Sequence, residues 1–191
     1  MICPACGNKT GAHNYCGYCG QILTDLKLSR VTIACLRADV SGFTRLTMGV
    51  EAEVAFSFLK LVLTNAAQKI EEAGGLIYRF IGDEVVGIFG IRPFDYRRLF
   101  ECGLYLTKLE AFGKSFGMKV GIEEGEAEYA RIAVGGVERE LIFGDIFLSV
   151  ARIQKSLRQP GLAIGPRLCE SMMRQGISEV RDYCLKRGGD G

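Results

Sequence analysis

Apolar positions along this chain change their spacing in a regular order, and that order predicts alternating strands and helices. Residues 31–38 form a nearly continuous apolar run with the length of a buried strand. Residues 51–72 instead carry apolar side chains at four-residue steps, which predicts a helix with one buried face. That face comprises Val54, Phe58, Val62, Ala66 and Ile70. Gly74 and Gly75 follow and are expected to end the helix.

The remaining pattern adds a hairpin and a series of strands and helices. Two apolar runs at 76–80 and 85–89 flank Gly82-Asp83, which predicts a tight turn between two strands. Further strands are expected at 118–123, 127–134, 139–143 and 162–164, and further helices at 94–112, 146–157 and 166–174. This order predicts an α+β fold of the ferredoxin-like, palm type, in which helices cover one face of a mixed sheet.

The first 22 residues lack this periodicity and carry two cysteine pairs, Cys3-x-x-Cys6 and Cys16-x-x-Cys19. Four thiolates at this spacing are typical of a zinc ribbon, in which glycines beside the cysteines form the tight turns. So short a segment cannot bury a core, so zinc binding would supply its folding free energy. We predict one structural Zn²⁺ per chain; two disulfides or four unrelated thiols are the alternatives. Four thiolates complete a tetrahedral site, so His13 is interpreted as a loop residue.

These patterns divide the 191 residues into a ribbon (1–22), a linker (23–30), one domain (31–185) and a tail (186–191). A net charge of +2 gives no electrostatic reason to expect nucleic acid as a partner. No apolar run approaches the ~20 residues of a membrane span, and no signal-peptide pattern follows Met1.

The other cysteines are scattered through apolar stretches, so free thiols and a cytoplasmic location are expected. They are Cys35, Cys102, Cys169 and Cys184.

Two acidic turns carry the candidate chemistry of the larger domain. Asp39 follows the first predicted strand, and Asp83 lies in the predicted hairpin turn. An antiparallel sheet can place these points side by side, and two neighbouring carboxylates repel each other unless a cation lies between them. A pair of Mg²⁺ ions, or Mn²⁺ in their place, is therefore expected. Ser41 and Gly42 are small enough to let backbone N–H groups approach phosphate oxygens. A purely structural role for each aspartate is the alternative.

The chain resembles the class III adenylyl/guanylyl cyclases over about residues 31–181. The resemblance rests on the segments 38–44 (Ala-Asp-Val-Ser-Gly-Phe-Thr), 74–90, 120–125 and 143–152, which occur in the order usual for that family. A four-cysteine ribbon ahead of such a domain is similar to bacterial relatives of the bicarbonate-responsive soluble adenylyl cyclases.

The resemblance implies an active site between two cyclase domains, in a homodimer or a heterodimer. It implies that Asp39 and Asp83, with the carbonyl of Val40, hold two Mg²⁺ ions, and that Arg152 stabilises the transition state. The nucleotide is expected to be ATP rather than GTP. Arg79 stands where the family has a base-reading lysine. The nucleotide-binding positions implied in this way are Val40, Ser41, Gly42, Phe43, Thr44, Arg79 and Gly82.

Two departures from the family decide which functions remain open. Leu148 replaces the transition-state asparagine, and Leu141 replaces the aspartate or threonine that reads adenine. The preferred hypothesis is therefore the metal-donating half of an adenylyl cyclase dimer, which converts ATP to cAMP and pyrophosphate only with a complementary partner. A degenerate domain that binds nucleotide or dimerises without turnover is the alternative. A diguanylate cyclase, suggested by Gly82-Asp83-Glu84, is disfavoured by the 39–44 segment. The sequence offers no reason for Arg37, where the family usually has an apolar residue.

Overall fold

A computed structural model describes residues 1–11, 15–21, 23, 29–43, 47–111, 114–134 and 137–185. Its backbone contacts divide the chain into two compact units. One comprises Met1–Arg30 with Glu128–Ile142, and the other Val31–Ala127 with Phe143–Gly191.

Six strands form one mixed sheet. They are β1 (Ser29–Val40), β2 (Leu76–Ile81), β3 (Glu84–Phe89), β6 (Met118–Val134), β7 (Val137–Phe143) and β8 (Gly161–Ile164). Their order is β2-β3-β1-β6-β7, and β8 runs parallel to β6. A separate short hairpin joins β4 (Leu109–Ala111) to β5 (Lys114–Phe116).

Helices pack on both faces of this sheet. They are α1 (Ala52–Glu72), α2 (Tyr96–Leu106), α3 (Ile146–Ser156) and α4 (Pro166–Arg174). Helices α1, α2 and α4 share one buried core with alternate residues of β1, β3 and β6. Helix α3 lies on the other face, where a Cβ at Gly121 would come within 2.7 Å of the backbone nitrogen of Gln154. The expectation of helices on one face only is therefore wrong for α3, because apolar periodicity does not specify which face a helix covers.

The predicted α+β fold class is confirmed, and the differences lie at the boundaries of elements. The helix expected over 94–112 ends at Leu106, where the Thr107 hydroxyl donates to the Leu104 carbonyl (2.7 Å). The strands expected at 118–123 and 127–134 form one continuous strand, β6. Val54 is 56% exposed, so the buried face of α1 begins later than predicted. A 3-10 helix at Ser178–Tyr183 was not predicted.

One pair of cysteines contradicts the expectation of free thiols. Cys169 of α4 and Cys184, just after the 3-10 helix, form a disulfide, while Cys35 and Cys102 are free and buried as expected. The chain returns beside β8 at this point, where the Leu185 N–H donates to the Ile164 carbonyl (2.8 Å). This return brings Cys184 to α4, and no spacing in the sequence indicates it. The disulfide removes two of the four thiols on which the cytoplasmic expectation depended.

None of the described helices combines the length and the apolar character needed to cross a bilayer.

Candidate functional site

The four N-terminal cysteines form one cluster. Their Sγ atoms all lie within 4.8 Å of one another, and the Cys3–Cys19 and Cys6–Cys16 sulfurs are 3.6 and 3.7 Å apart. Four sulfurs at ~2.3 Å from one zinc ion lie about 3.8 Å apart in a tetrahedron, so this arrangement fits zinc. All four thiols are free in the structure.

The backbone around the cluster repeats itself at the two cysteine pairs. The N–H of Gly7 donates to the carbonyl of Cys3, and the N–H of Gly20 to that of Cys16, each at 2.9 Å. Both glycines have positive φ, 71° and 75°, which side chains disfavour. The two pairs thus lie on equivalent turns, as the ribbon prediction requires.

Electrostatics within the cluster favour a bound cation. A backbone hydrogen bond from Asn8 lowers the pKa of the Cys6 thiol to about 6. The backbone N–H of Gln21 acts in the same direction on Cys19, but the neighbouring sulfurs outweigh it and raise the pKa of Cys19 to about 12. Four thiols this close together cannot all ionise unless a cation neutralises the resulting thiolates.

Asp39 and Asp83 lie side by side at one end of the large sheet. β1 and β3 are antiparallel with Asp39 opposite Glu84, and the Val40 N–H donates to the Asp83 carbonyl (3.2 Å). Gly82, in the turn before Asp83, has φ 59°, so the predicted hairpin turn is confirmed. The backbones of Asp39 and Asp83 are therefore neighbours, and the charge of Asp39 acts on the carboxyl group of Asp83, although Asp39 lies within its strand rather than after it.

Repulsion between these carboxylates is partly relieved by a lysine that the sequence analysis did not identify. Burial and the charge of Asp39 raise the pKa of Asp83, while Lys119 counteracts this increase. The Lys119 ammonium lies 3.1 Å from the Asp39 carboxylate. Its sequence signal is a polar residue between the buried residues Met118 and Val120 of β6, which places it on the opposite face of that strand.

Arg37, unexplained by the sequence, pairs with Glu84. The Arg37 Nε and Glu84 Oε2 atoms are 2.6 Å apart, and their side chains are only 21% and 8% exposed. The N–H of Nε is not directed at that oxygen, so the contact is an ion pair without a well-aligned hydrogen bond. Burial raises the pKa of Glu84, and Arg37 opposes that shift.

Arg79 is held by two aromatic rings. A β-bulge lies in β2 between Ile77 and Arg79, so the extra residue Tyr78 has no partner position on β3. The Tyr78 ring stacks on Phe147 of α3 with centroids 5.1 Å apart. The Arg79 guanidinium lies 5.0 Å from the centroid of Tyr78 and 5.7 Å from that of Phe147. Cation–π contacts thus orient this guanidinium, while the residue stays exposed.

The expected phosphate-binding turn is only partly available. Gly42 has φ 74°, as a tight turn requires, but the Ser41 N–H already donates to the Gly117 carbonyl (3.3 Å). The backbone N–H of Ser41 is therefore already paired within the folded chain, and its role toward a phosphate stays a prediction. The Phe43 ring stacks on Phe58 of α1 at 6.4 Å, and Thr44 lies outside the described residues.

The residues assigned to the partner side are exposed. Arg152 and Leu148 are one helical turn apart on α3, and Leu148 is 62% exposed. Leu141, on β7, is 43% exposed. Leucine side chains form no hydrogen bond with a ligand. Leu148 and Leu141 therefore cannot supply the polar groups that the cyclase family has at these two positions.

This fold is that of the catalytic domains of adenylyl and guanylyl cyclases. The structure matches the adenylyl cyclase CyaB from P. aeruginosa with a TM-score of 0.67 at 20% identity, over 78% of this chain and 84% of that one. It matches the guanylyl cyclase Cya2 with a TM-score of 0.66 at 22% identity, over 75% and 79% of the two chains.

Two curated proteins are similar in sequence. One is a cytidylate cyclase of Escherichia coli, 23% identical over 175 residues, which are 80% of this chain and 37% of that protein. The other is an adenylate cyclase of Anabaena cylindrica, 28% identical over 149 residues, which are 76% of this chain and 28% of that protein. The chain thus spans well under half the length of both relatives. No protein-family model matches the sequence.

Proposed function

We propose that this chain is a nucleotidyl cyclase domain that donates the metal-binding carboxylates to a dimeric active site. It would convert a nucleoside triphosphate into a 3′,5′-cyclic nucleotide and pyrophosphate. The observation that carries the proposal is the pairing of Asp39 and Asp83 at one end of a sheet with the cyclase fold.

The chain's own residues suit this chemistry. Asp39, Asp83 and the carbonyl of Val40 would hold two Mg²⁺ or Mn²⁺ ions, which supply a lower pKa for the ribose 3′-hydroxyl and neutralise the departing pyrophosphate. Lys119, 3.1 Å from Asp39, adds positive charge where the triphosphate is held. Ser41, Gly42 and Phe43 would shape the turn around the phosphates.

The transition-state donor and the group that recognises the base have to come from a second domain. Leu148 cannot donate to the transition state, and Leu141 cannot accept from a base amino group, so a homodimer of this chain has incomplete sites. A partner that carries an asparagine and a base reader would complete the site built on Asp39 and Asp83. Arg152 and Arg79 remain this chain's contribution to the second site of such a dimer.

The base selected by the completed site is a separate question. The preference for ATP over GTP stays a prediction. CTP belongs in the same comparison, because one similar protein is named a cytidylate cyclase. The forked guanidinium of Arg79 also suits a base edge with two adjacent acceptors, which cytosine and guanine have and adenine lacks.

The alternative, a module that binds nucleotide or dimerises without turnover, differs from this proposal only in catalysis. Cys3, Cys6, Cys16 and Cys19 are proposed to bind one structural Zn²⁺ in either case. The cytoplasmic location stays a prediction.

A mixing experiment tests the proposed half-site. The wild-type chain is combined with a variant carrying L141T, L148N, D39N and D83N, and cyclic product is measured with MnATP, MnGTP and MnCTP. In the mixed dimer, the wild-type chain supplies Asp39 and Asp83, and the variant supplies the new asparagine and threonine. Neither homodimer has both sets of groups in one site, so product is expected from the mixture and little from either chain alone.

The matched control for the metal aspartates uses the exposed Asp182 of the 3-10 helix. D182N in the wild-type partner should leave product formation unchanged, whereas D83N in that partner should abolish it. A mixture that forms dimers by sedimentation yet yields no cyclic nucleotide would favour the module without turnover.

A further inference from the structure

Two buried polar atoms beside the metal carboxylates have no hydrogen-bond partner among the described residues. They are Nε of Arg37 and Oε1 of Glu84. Glu84 is only 6% exposed, so bulk water does not solvate its free oxygen. Buried polar atoms are nearly always paired in native proteins, and an unpaired carboxylate oxygen is costly. The Arg37 Nε atom already contacts the other oxygen of Glu84 at 2.6 Å, so the free Oε1 atom is the one that indicates a position for a further group.

The position is adjacent to both metal aspartates. Glu84 follows Asp83 directly and lies opposite Asp39 in the β1–β3 register. Residues that lie opposite each other share one face of a sheet, and so do alternate residues of a strand. Arg37, Asp39 and Glu84 are therefore on one face, with Arg37 two residues before Asp39 along β1.

The ion pair restrains Glu84 while leaving one of its oxygens free. Arg37 contacts Oε2 at 2.6 Å, so the carboxylate is held at one oxygen only. The free Oε1 atom is an acceptor, and a water molecule bound to a cation is a strong donor. Carboxylates that hydrogen-bond to the ligands of a protein-bound metal, rather than to the metal itself, commonly orient those ligands.

We propose that Arg37 and Glu84 are a positioning pair for the metal site: Arg37 anchors Glu84, whose free Oε1 accepts a hydrogen bond from water bound to the metal at Asp39 and Asp83. Glu84 is thus a third carboxylate of the site, which acts on the metal through water rather than by direct ligation. The inference rests on the proposed function, because it requires a metal at the two aspartates.

The test measures how much Mn²⁺ is needed for binding of a fluorescent nucleoside triphosphate, with thermal unfolding measured in parallel. E84Q places an amide where the carboxylate oxygens lie and removes the charge that Arg37 anchors. The Mn²⁺ concentration for half-maximal nucleotide binding should rise about tenfold or more. E84D keeps a carboxylate and should recover part of this loss.

A matched control uses the exposed ion pair between Arg97 and Glu179, whose nitrogen and oxygen are 3.2 Å apart. E179Q makes the same chemical change at an exposed position and should leave the Mn²⁺ dependence unchanged.

A charge exchange separates positioning of the metal from simple bridging of two strands. The double variant R37E/E84R restores an ion pair between β1 and β3 but leaves no carboxylate at position 84. If the pair only joined the strands, this variant would bind Mn²⁺ and nucleotide as the wild type does. The positioning role instead predicts that the Mn²⁺ requirement stays high.

The outcomes also separate this inference from the proposed function. A wild-type chain that shows no Mn²⁺-dependent nucleotide binding overturns both. Normal binding by the wild type, together with an unchanged Mn²⁺ requirement in E84Q and E84D, overturns the positioning role alone. Recovery of normal Mn²⁺ dependence by R37E/E84R overturns it as well, in favour of a structural ion pair.

Discussion

At the scale of single residues, one end of the sheet brings several carboxylates close together, and their mutual repulsion lowers the stability of the folded protein. Asp39, Asp83 and Glu84 lie together, with Arg37 and Lys119 as the neighbouring cations. Burial and the charge of Asp39 raise the pKa of Asp83. A raised carboxyl pKa in the folded state means that the ionised form is less stable there than in the unfolded chain, so this group lowers stability at neutral pH.

Asp83→Asn should therefore stabilise the metal-free protein while removing a proposed metal ligand. The pKa of Asp83 in the folded protein is raised above its ordinary value. The destabilisation is consequently absent below the unfolded pKa, grows as the pH rises from there through the folded pKa, and is complete above it. We expect the melting temperature to rise by about 1–3 °C at pH 7, a small change because the site is partly exposed.

The pH dependence is the check on this prediction. Melting temperatures in metal-free buffer should differ between D83N and the wild type at pH 7, and the difference should shrink as the pH approaches 4. The exposed variant D182N should show no such trend. A D83N protein that is less stable than the wild type at neutral pH would contradict the assigned electrostatics.

At the scale of elements, local patterns predicted which helices and strands exist better than they predicted where each one begins and ends. The hairpin around Gly82 and Asp83 was predictable because a two-residue turn depends only on the residues in it. The helix at 94–112 was predicted too long because apolar spacing continues past Leu106, whereas a side-chain hydrogen bond from Thr107 accompanies its end. The bulge at Tyr78, which re-aims Arg79, has no local signal in an otherwise regular strand.

The N-terminal cysteine cluster is the element for which zinc binding is proposed to supply the stability. Its four sulfurs are at distances suited to one zinc ion, and the segment has little apolar core of its own. Purified protein should contain one equivalent of zinc, and Cys16→Ser, at a buried position of the proposed zinc site, should reduce this to well below one.

Metal analysis combined with limited proteolysis checks the ribbon prediction. Cleavage within residues 1–22 should accelerate in C16S, whereas the free, buried Cys102, changed to serine in C102S, should leave the zinc content unchanged. A wild-type protein with far less than one zinc, or with disulfides between these cysteines under reducing conditions, would contradict the ribbon.

At the scale of the whole molecule, the chain has the fold of a cyclase catalytic domain but lacks two of the groups that the proposed reaction would require in a homodimer. Leu148 and Leu141 are exposed and cannot replace an asparagine or a base-reading acceptor. Removal of one transition-state donor typically lowers the rate by about 10²–10³. The unmodified chain alone should therefore bind a metal–triphosphate but form little cyclic product.

Restoring both groups should raise the activity of the homodimer. L141T/L148N is expected to increase cyclic nucleotide formation about a hundredfold, measured as initial rates with MnATP, MnGTP and MnCTP. Leu61 of α1, 38% exposed, provides the control L61N, which should have no effect. Robust product from the unmodified chain would refute the assignment of these leucines.

The sequence by itself determined the features that depend on neighbouring residues. The cysteine pairs, the acidic turns at Asp39 and Asp83, and the order of strands and helices all follow from spacing within a few positions. The structure alone decided which distant residues meet: Lys119 with Asp39, Arg37 with Glu84, Cys169 with Cys184, and α3 with the second face of the sheet. These contacts depend on strand register and helix packing, which are set by the burial of the whole core and not by any local pattern.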